Sequence, residues 1–217
     1  NSLLYISGYF TNAGGLSVDN IASWNGTSFA TPAGNWTAAT EMEVMGSDLY
    51  LAGSFASFGG ITVNNVVKWN GSAFSALGSG TVGVDASVSD LQVWNNNLYI
   101  GGIFSNAGGA AASKIVKWDG SGFSTLGTGA NNTVYGLGVW DNNLCLTGAF
   151  STAGGVTVNR VAKWDGSSFS ALGGGVGDIT QWPKELISYA GSLYVGGDFK
   201  TVESRDIIGL VRWDGTQ

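Results

Sequence analysis

Glu41 and Glu43 are the side chains whose type and spacing come nearest to a catalytic set in this chain. Residues two apart on a strand point to the same face. Two carboxylates on one cleft are what glycoside hydrolysis uses, one protonated as the acid and the other ionised as base or nucleophile. No other copy of the repeat described below carries the pair, and carboxylates lining a solvent-filled channel need no chemistry to explain them. Histidine is absent, which removes the commonest general base and transition-metal ligand. A Ser-His-Asp or Cys-His arrangement is therefore impossible. The single cysteine, Cys145, allows no intramolecular disulfide and no thiolate metal cluster. It replaces a Tyr of the repeat pattern and is read as structural. No Asp-x-Asp-x-Asp ladder for calcium occurs. The expectation is a protein that is not an enzyme, with no catalytic residue, metal or cofactor; glycoside hydrolysis is the weakest alternative.

Binding chemistry points to two indoles. Of the nine Trp residues, Trp36 and Trp182 fall outside the repeat register, in connections between copies. An indole in a loop can anchor a sugar ring or a protein partner, or it can cap the core beneath the loop.

Composition narrows the classes. Charged residues make up 11% of the 217 and hydrophobic residues 44%, so the polar surface must come from Ser, Thr, Asn and Gly. Thirty-six Gly and two Pro fit many tight turns between short strands. The net charge is −6 without a basic cluster, which speaks against nucleic acid and against a polybasic membrane patch. No apolar run approaches the roughly 18 residues of a membrane span, so no membrane insertion is expected. The acidic balance and the Gly, Ser, Thr and Asn content predict an extracellular or cell-surface protein. Glycosylation acceptor patterns occur at Asn25, Asn35, Asn70 and Asn131, a number that chance also supplies in so Asn-rich a chain.

The elements that must position these residues come from a repeat. Leu4, Leu49, Leu98, Leu144 and Leu193 each stand 20 residues before an anchor Trp: Trp24, Trp69, Trp118, Trp164 and Trp213. From each Trp to the next Leu the step varies, at 25, 29, 26 and 29 residues. A period of this size with strand-like content predicts a propeller blade or a similar repeated sheet. Each copy reads as four strands, exemplified by Val134–Trp140, Asn97–Phe104, Lys114–Trp118 and Phe123–Gly127. Asn-Gly or Asp-Gly follows every anchor Trp and predicts a two-residue hairpin turn with positive φ at both central positions. The turns at Asn95–Asn97 and Asp141–Asn143 join the preceding strand pair. Phe10, Phe55, Phe104, Phe150 and Phe199 follow the second strand, and Phe29, Phe74, Phe123 and Phe169 open the fourth. These aromatics and the anchor Trp residues are expected to pack between neighbouring sheets.

The Gly-Gly pairs after the second strand, the aromatic with Asp-Gly after the third and the aromatic opening the fourth resemble kelch-type repeats. "LYIGGIFSNAGG" and "KIVKWDGSGFSTLG" are closer still to the "LYVGGxFxxAGG…IAKWDGxxWSALG" repeats of secreted and cell-surface proteins. The resemblance covers essentially the whole chain. It implies an all-β fold, a β-propeller of four-stranded antiparallel blades with about five blades represented and the terminal ones incomplete. The strand before the Leu-aromatic strand would be innermost. One domain, 1–217, would hold copies 3–47, 48–96, 97–142, 143–191 and a partial 192–217, as a piece of a longer chain. The resemblance extends to the central domain of galactose oxidase, but that enzyme's copper site needs His, which this chain lacks. Gly14-Gly15, Gly59-Gly60, Gly108-Gly109 and Gly154-Gly155 give way to Glu203-Ser204 in the fifth copy, where a different loop conformation is expected. The loops after strands two and four, such as Thr11–Asp19 and Ser79–Ala86, would share one face and carry recognition. The functional expectation is a noncatalytic scaffold binding a protein partner or glycan through that face, with assembly against neighbouring domains or copies. A carbohydrate-binding, lectin-type propeller is the alternative.

Overall fold

The computed structural model describes residues 3–32, 36, 39–78, 83–177, 182–202 and 205–216. Asn35, the first half of the Ser79–Ala86 loop and the Glu203-Ser204 pair lie outside them. The described residues form strands, turns and bends, with no helix among them.

Large apolar residues alternating with small ones at a fixed beat yield one sheet per copy. The three central sheets have four antiparallel strands each. Sheet two is Glu41–Met45, Asp48–Ala52, Val66–Trp69 and Phe74–Ala76. Sheet three is Val88–Trp94, Asn97–Gly102, Ile115–Trp118 and Phe123–Thr125. Sheet four is Val134–Trp140, Asn143–Gly148, Val161–Trp164 and Phe169–Ala171. Sheet one has Leu4–Ser7, Ile21–Trp24 and Phe29–Ala30, and sheet five has Pro183–Tyr189, Ser192–Gly197 and Leu210–Trp213. The lead strands Glu41–Met45, Val88–Trp94, Val134–Trp140 and Pro183–Tyr189 lie side by side in that order.

The register repeats with the sequence. Leu98 pairs with Trp118 and Leu144 with Trp164, as do Leu4 with Trp24, Leu49 with Trp69 and Leu193 with Trp213. Two expected turns are sorted differently. The two-residue turn with positive φ at both positions is found between Trp94 and Asn97, at Asn95 (φ 47°) and Asn96 (φ 58°), and again at Asp141 and Asn142. After the anchor Trp, only the Gly has positive φ, and the paired residues Trp118 and Phe123 enclose four residues. There the Asp or Asn is selected for its side chain. Asp119 Oδ1 accepts the backbone N–H groups of Ser121 and Gly122, each at 2.8 Å. The Ser121 hydroxyl also donates to Asp119 Oδ1, and this bond first, with the two backbone ones, holds the Asp119 carboxyl down at about 2, below the usual carboxylate range.

The Gly-Gly loops also carry more structure than expected. Each turns a two-residue ribbon, as between Thr152–Ala153 and Val156–Thr157. Both glycines take positive φ, 58° at Gly154 and 82° at Gly155. The first Gly also makes room: a Cβ at Gly154 would lie 2.6 Å from Cδ2 of Phe169. The connections leaving sheets two, three and four then bond to the ribbon of the next copy, bridging Val84 to Ala107, Ala130 to Ala153 and Val176 to Val202.

No sheet can cover both its faces alone, so the core is divided among the gaps. Tyr99 and Ile115 of sheet three pack with Leu144, Leu146, Phe150 and Trp164 of sheet four. Equivalent clusters fill the other three gaps. The expected aromatic wedges are therefore found between sheets. Phe58, which has no counterpart in the other copies, is also fully buried.

Candidate functional site

The lead strands bring together acidic side chains. Aligned on the anchor Leu, Glu41 shares its position with Asp90, Gly136 and Glu185, eight residues before Leu49, Leu98, Leu144 and Leu193. The recurrence belongs to the Glu41 column alone, since Gln92, Gly138 and Ile187 stand at the positions equivalent to Glu43. In sheets three to five a register shift falls just ahead of this position. Such a bulge re-aims the side chain that follows it.

Burial pushes Glu41 up to about 7, and the charges of Asp90 and Glu185 add to the effect. Asp90 is also raised to about 7, first by burial, against the N–H groups of Leu137 and Leu91 and with the charges of Glu185 and Glu43. Burial raises Glu185 as well. The geometry gives two of the four acidic groups, Asp90 and Glu43, structural work. Asp90 accepts Leu91 N–H at Oδ1 and Leu137 N–H, on the next lead strand, at Oδ2. Glu43 Oε1 accepts Val93 N–H at 3.1 Å from the lead strand of sheet three. The two expected partners therefore separate: Glu43 clips sheet two to sheet three, while Glu41 shares its electrostatics with Asp90 and Glu185. Among the described residues, no group of three or more Asp, Glu or Cys side chains stands close enough to hold a metal ion.

The two indoles singled out as anchors also part company. Trp36 is 7% exposed and packs against Phe74 and Trp69 at ring-centroid distances of 4.7 and 5.3 Å. It stacks on Tyr5 of sheet one at 5.9 Å, so it closes the gap between the first two sheets and presents no surface for a ligand. The apolar surroundings draw the indole inward. Trp182 is 38% exposed. It precedes Pro183 at the start of the lead strand of sheet five, where its carbonyl accepts Asp198 N–H. Cys145 is buried, and burial pushes its thiol up to about 12, which leaves no reactive thiolate.

The rim formed by the ribbons is clasped by side-chain hydrogen bonds. Asp85 Oδ1 accepts Ser105 N–H at 2.7 Å and Asn106 N–H at 2.9 Å, and its Oδ2 accepts Asn106 Nδ2 at 2.7 Å. Asn131 does the same one sheet later, accepting Ser151 and Thr152 N–H. The sequence signal for this clasp was a polar residue at equivalent places in two variable connections, which no motif describes.

No family model matches the chain, and no curated protein matches it. Among solved structures, it is similar to the extracellular domain of a protein described as a hybrid two-component system of B. thetaiotaomicron. The TM-score is 0.55 at 13% identity, covering 87% of this chain and 25% of that one. The computationally designed Ika8 protein aligns at TM-score 0.47 and 12% identity, over 90% of this chain and 56% of that one. The chain therefore spans about a quarter of the first and just over half of the second. The likeness to the extracellular domain is one of fold.

Proposed function

We propose that the chain is a propeller-type array of sheets that serves as a noncatalytic extracellular or cell-surface scaffold and binds a protein partner through its long-loop face. The carrying observation is the use of the polar groups. Asp90, Glu43, Asp85 and Asn131 each give an acceptor to a backbone N–H of the neighbouring copy. Groups so committed hold a frame together, and a rigid frame lowers the entropy lost when its loops bind. The kelch-like repeat pattern and the acidic, Gly- and Ser/Thr-rich composition support the propeller and the extracellular setting.

Exposed Trp182 also favours a carbohydrate-binding reading, since an indole can stack on a sugar ring. Against it, Trp69, Trp118 and Trp164 are buried, so most copies have no anchor Trp to offer a sugar. The test combines two measurements. A photo-crosslinking residue at position 182 is expected to capture one defined protein from a cell-surface fraction, and a glycan array is expected to stay blank. Glycan binding lost in Trp182→Ala would transfer the assignment to a lectin. Hydrolysis of chromogenic glycosides, abolished by Glu41→Gln, would overturn the noncatalytic reading.

A further inference from the structure

Four residues before each anchor Trp the backbone takes positive φ: 63° at Asn20, 62° at Asn65, 66° at Lys114, 61° at Arg160 and 73° at Gly209. Asn and Gly suit that conformation, whereas a long side chain gains nothing from it. In two copies the side chain at this place serves the frame. Asn65 Oδ1 accepts Phe55 N–H at 2.9 Å, and its Nδ2 donates to the Val84 carbonyl at 2.8 Å. Lys114 Nζ donates to the Ile103 carbonyl at 3.1 Å and to Ser105 Oγ at 3.4 Å.

Arg160 is used differently. It is 7% exposed, the one charged side chain that is buried among the described residues. Its Nη1 donates to Asn159 Oδ1 at 3.0 Å. Its Nε is buried without a partner, and its Nη2 makes no hydrogen bond. None of the ion pairs among the described residues includes it. Asn159 is itself fixed: its Nδ2 donates to the carbonyls of Gly174 and Gly177, and its own carbonyl accepts Val176 N–H. The guanidinium is therefore held at one corner, with its Nε–Nη2 edge left over. A guanidinium keeps its charge in proteins, and burying a charge without a counter-ion is costly. Asn at the same place in two other copies shows that the frame does not require that cost.

We infer that the Nε–Nη2 edge of Arg160 is a seat for a carboxylate, supplied by an acidic side chain of the protein partner. The two N–H groups of that edge run parallel and match the two oxygens of one carboxylate, so the pair forms two charge-assisted hydrogen bonds. Arg160 stands between the end of Asn143–Gly148 and the start of Val161–Trp164, where its carbonyl accepts Gly148 N–H. It thus closes the loop that carries the Gly154-Gly155 ribbon, on the rim assigned to recognition. Because the side chain is buried, docking draws the carboxylate into the rim, where exclusion of water strengthens the pair. The inference deepens the scaffold reading by naming the chemistry that the long-loop face recognises, and rests on that reading for the source of the carboxylate.

The test uses the 217-residue chain with sodium acetate as the probe and sodium chloride at equal ionic strength as the reference. The Nε–Hε signals of Arg160, Arg205 and Arg212 are followed by NMR. Acetate is expected to shift the Arg160 signal saturably and to leave the other two in place. Acetate is also expected to raise the thermal unfolding midpoint of the chain. Arg160→Lys keeps the charge but loses the fork, and should need at least about tenfold more acetate for the same rise. Arg160→Met should unfold within about 3 °C of the parent chain in chloride, since it removes a buried charge that nothing pairs. Absence of a saturable Arg160 shift, or an equal midpoint rise in Arg160→Met, overturns the proposal. So does a much lower midpoint of Arg160→Met in chloride, which would mean that the chain's own acids already hold the guanidinium. Saturation by inorganic phosphate but not by acetate overturns the assignment to a carboxylate. None of these outcomes bears on crosslinking at position 182, so the seat can fail while the scaffold reading stands.

Discussion

Asp90 on the lead strand of sheet three accepts the backbone N–H of Leu137 on the lead strand of sheet four. A strand at the end of a sheet leaves alternate N–H groups without a ladder partner, and here a neighbouring carboxylate supplies one. Between sheets four and five the solution differs. Gly136 stands at the acidic position, and a Cβ there would lie 2.5 Å from the carbonyl oxygen of Lys184. Close backbone approach replaces the side-chain clip, and Thr147 Oγ1 reaches the Lys184 carbonyl from behind.

The acidic column should make stability depend on pH. Glu41 and Asp90 are both raised to about 7 in the folded chain. A raised carboxyl binds its proton more tightly when folded, so its contribution is full below the unfolded value and is lost as pH rises through the folded one. Urea unfolding is expected to give a higher midpoint at about pH 5 than at about pH 8. Glu41→Gln should remove about 1 kcal/mol of that difference, allowing for solvent screening of a half-exposed group. An unchanged pH profile in Glu41→Gln would contradict the coupling.

Gly154 and Gly155 separate backbone strain from crowding. Both have positive φ, but only a Cβ at Gly154 would press on Phe169; at Gly155 it would meet nothing within 4 Å. Gly155→Ala is expected to cost about 1 kcal/mol through backbone conformation alone. Gly154→Ala should cost about 1–3 kcal/mol more, because the ring must shift. Chemical denaturation of the two variants measures the gap, and equal losses would refute the packing role.

Asp85→Ala should loosen the rim between sheets two and three, leaving the amides of Ser105 and Asn106 without their acceptor. The expected loss is about 1–2 kcal/mol. Asp85→Asn should recover most of it, since Asn131 makes the same clasp one sheet later. Amide hydrogen exchange at residues 105 and 106 reads the effect directly.

Trp36→Ala and Trp182→Ala should diverge. Removing the buried indole of Trp36 strips the aromatic cluster of Tyr5, Phe58, Trp69 and Phe74 and is expected to cost about 3–5 kcal/mol. Removing Trp182 should change stability by less than about 1 kcal/mol. Thermal unfolding distinguishes the two, and a large loss at Trp182 would reassign it to the core.

Residue types at a constant spacing were enough to predict sheets, strands and buried wedges. Leu98, Trp118 and Phe123 recur in step because each repeat faces the same packing problem. Where a residue answers to its own chain neighbours, as Asn95 and Asn96 do in their turn, the string carries the signal. The Asp-Gly turns differ from the sequence expectation because one dipeptide has two uses, positive φ or a side-chain acceptor, and the length of the connection selects between them.

What the string alone determined is the periodic part: the five-fold beat, its strands and the absence of histidine chemistry. Tertiary structure decided the rest. It buried Trp36 while leaving Trp182 in reach of solvent. It turned Asp90 toward Leu137, 47 residues away. Each of these depends on which sheet lies alongside which, and burial and charge are set by neighbours in space that no local spacing encodes.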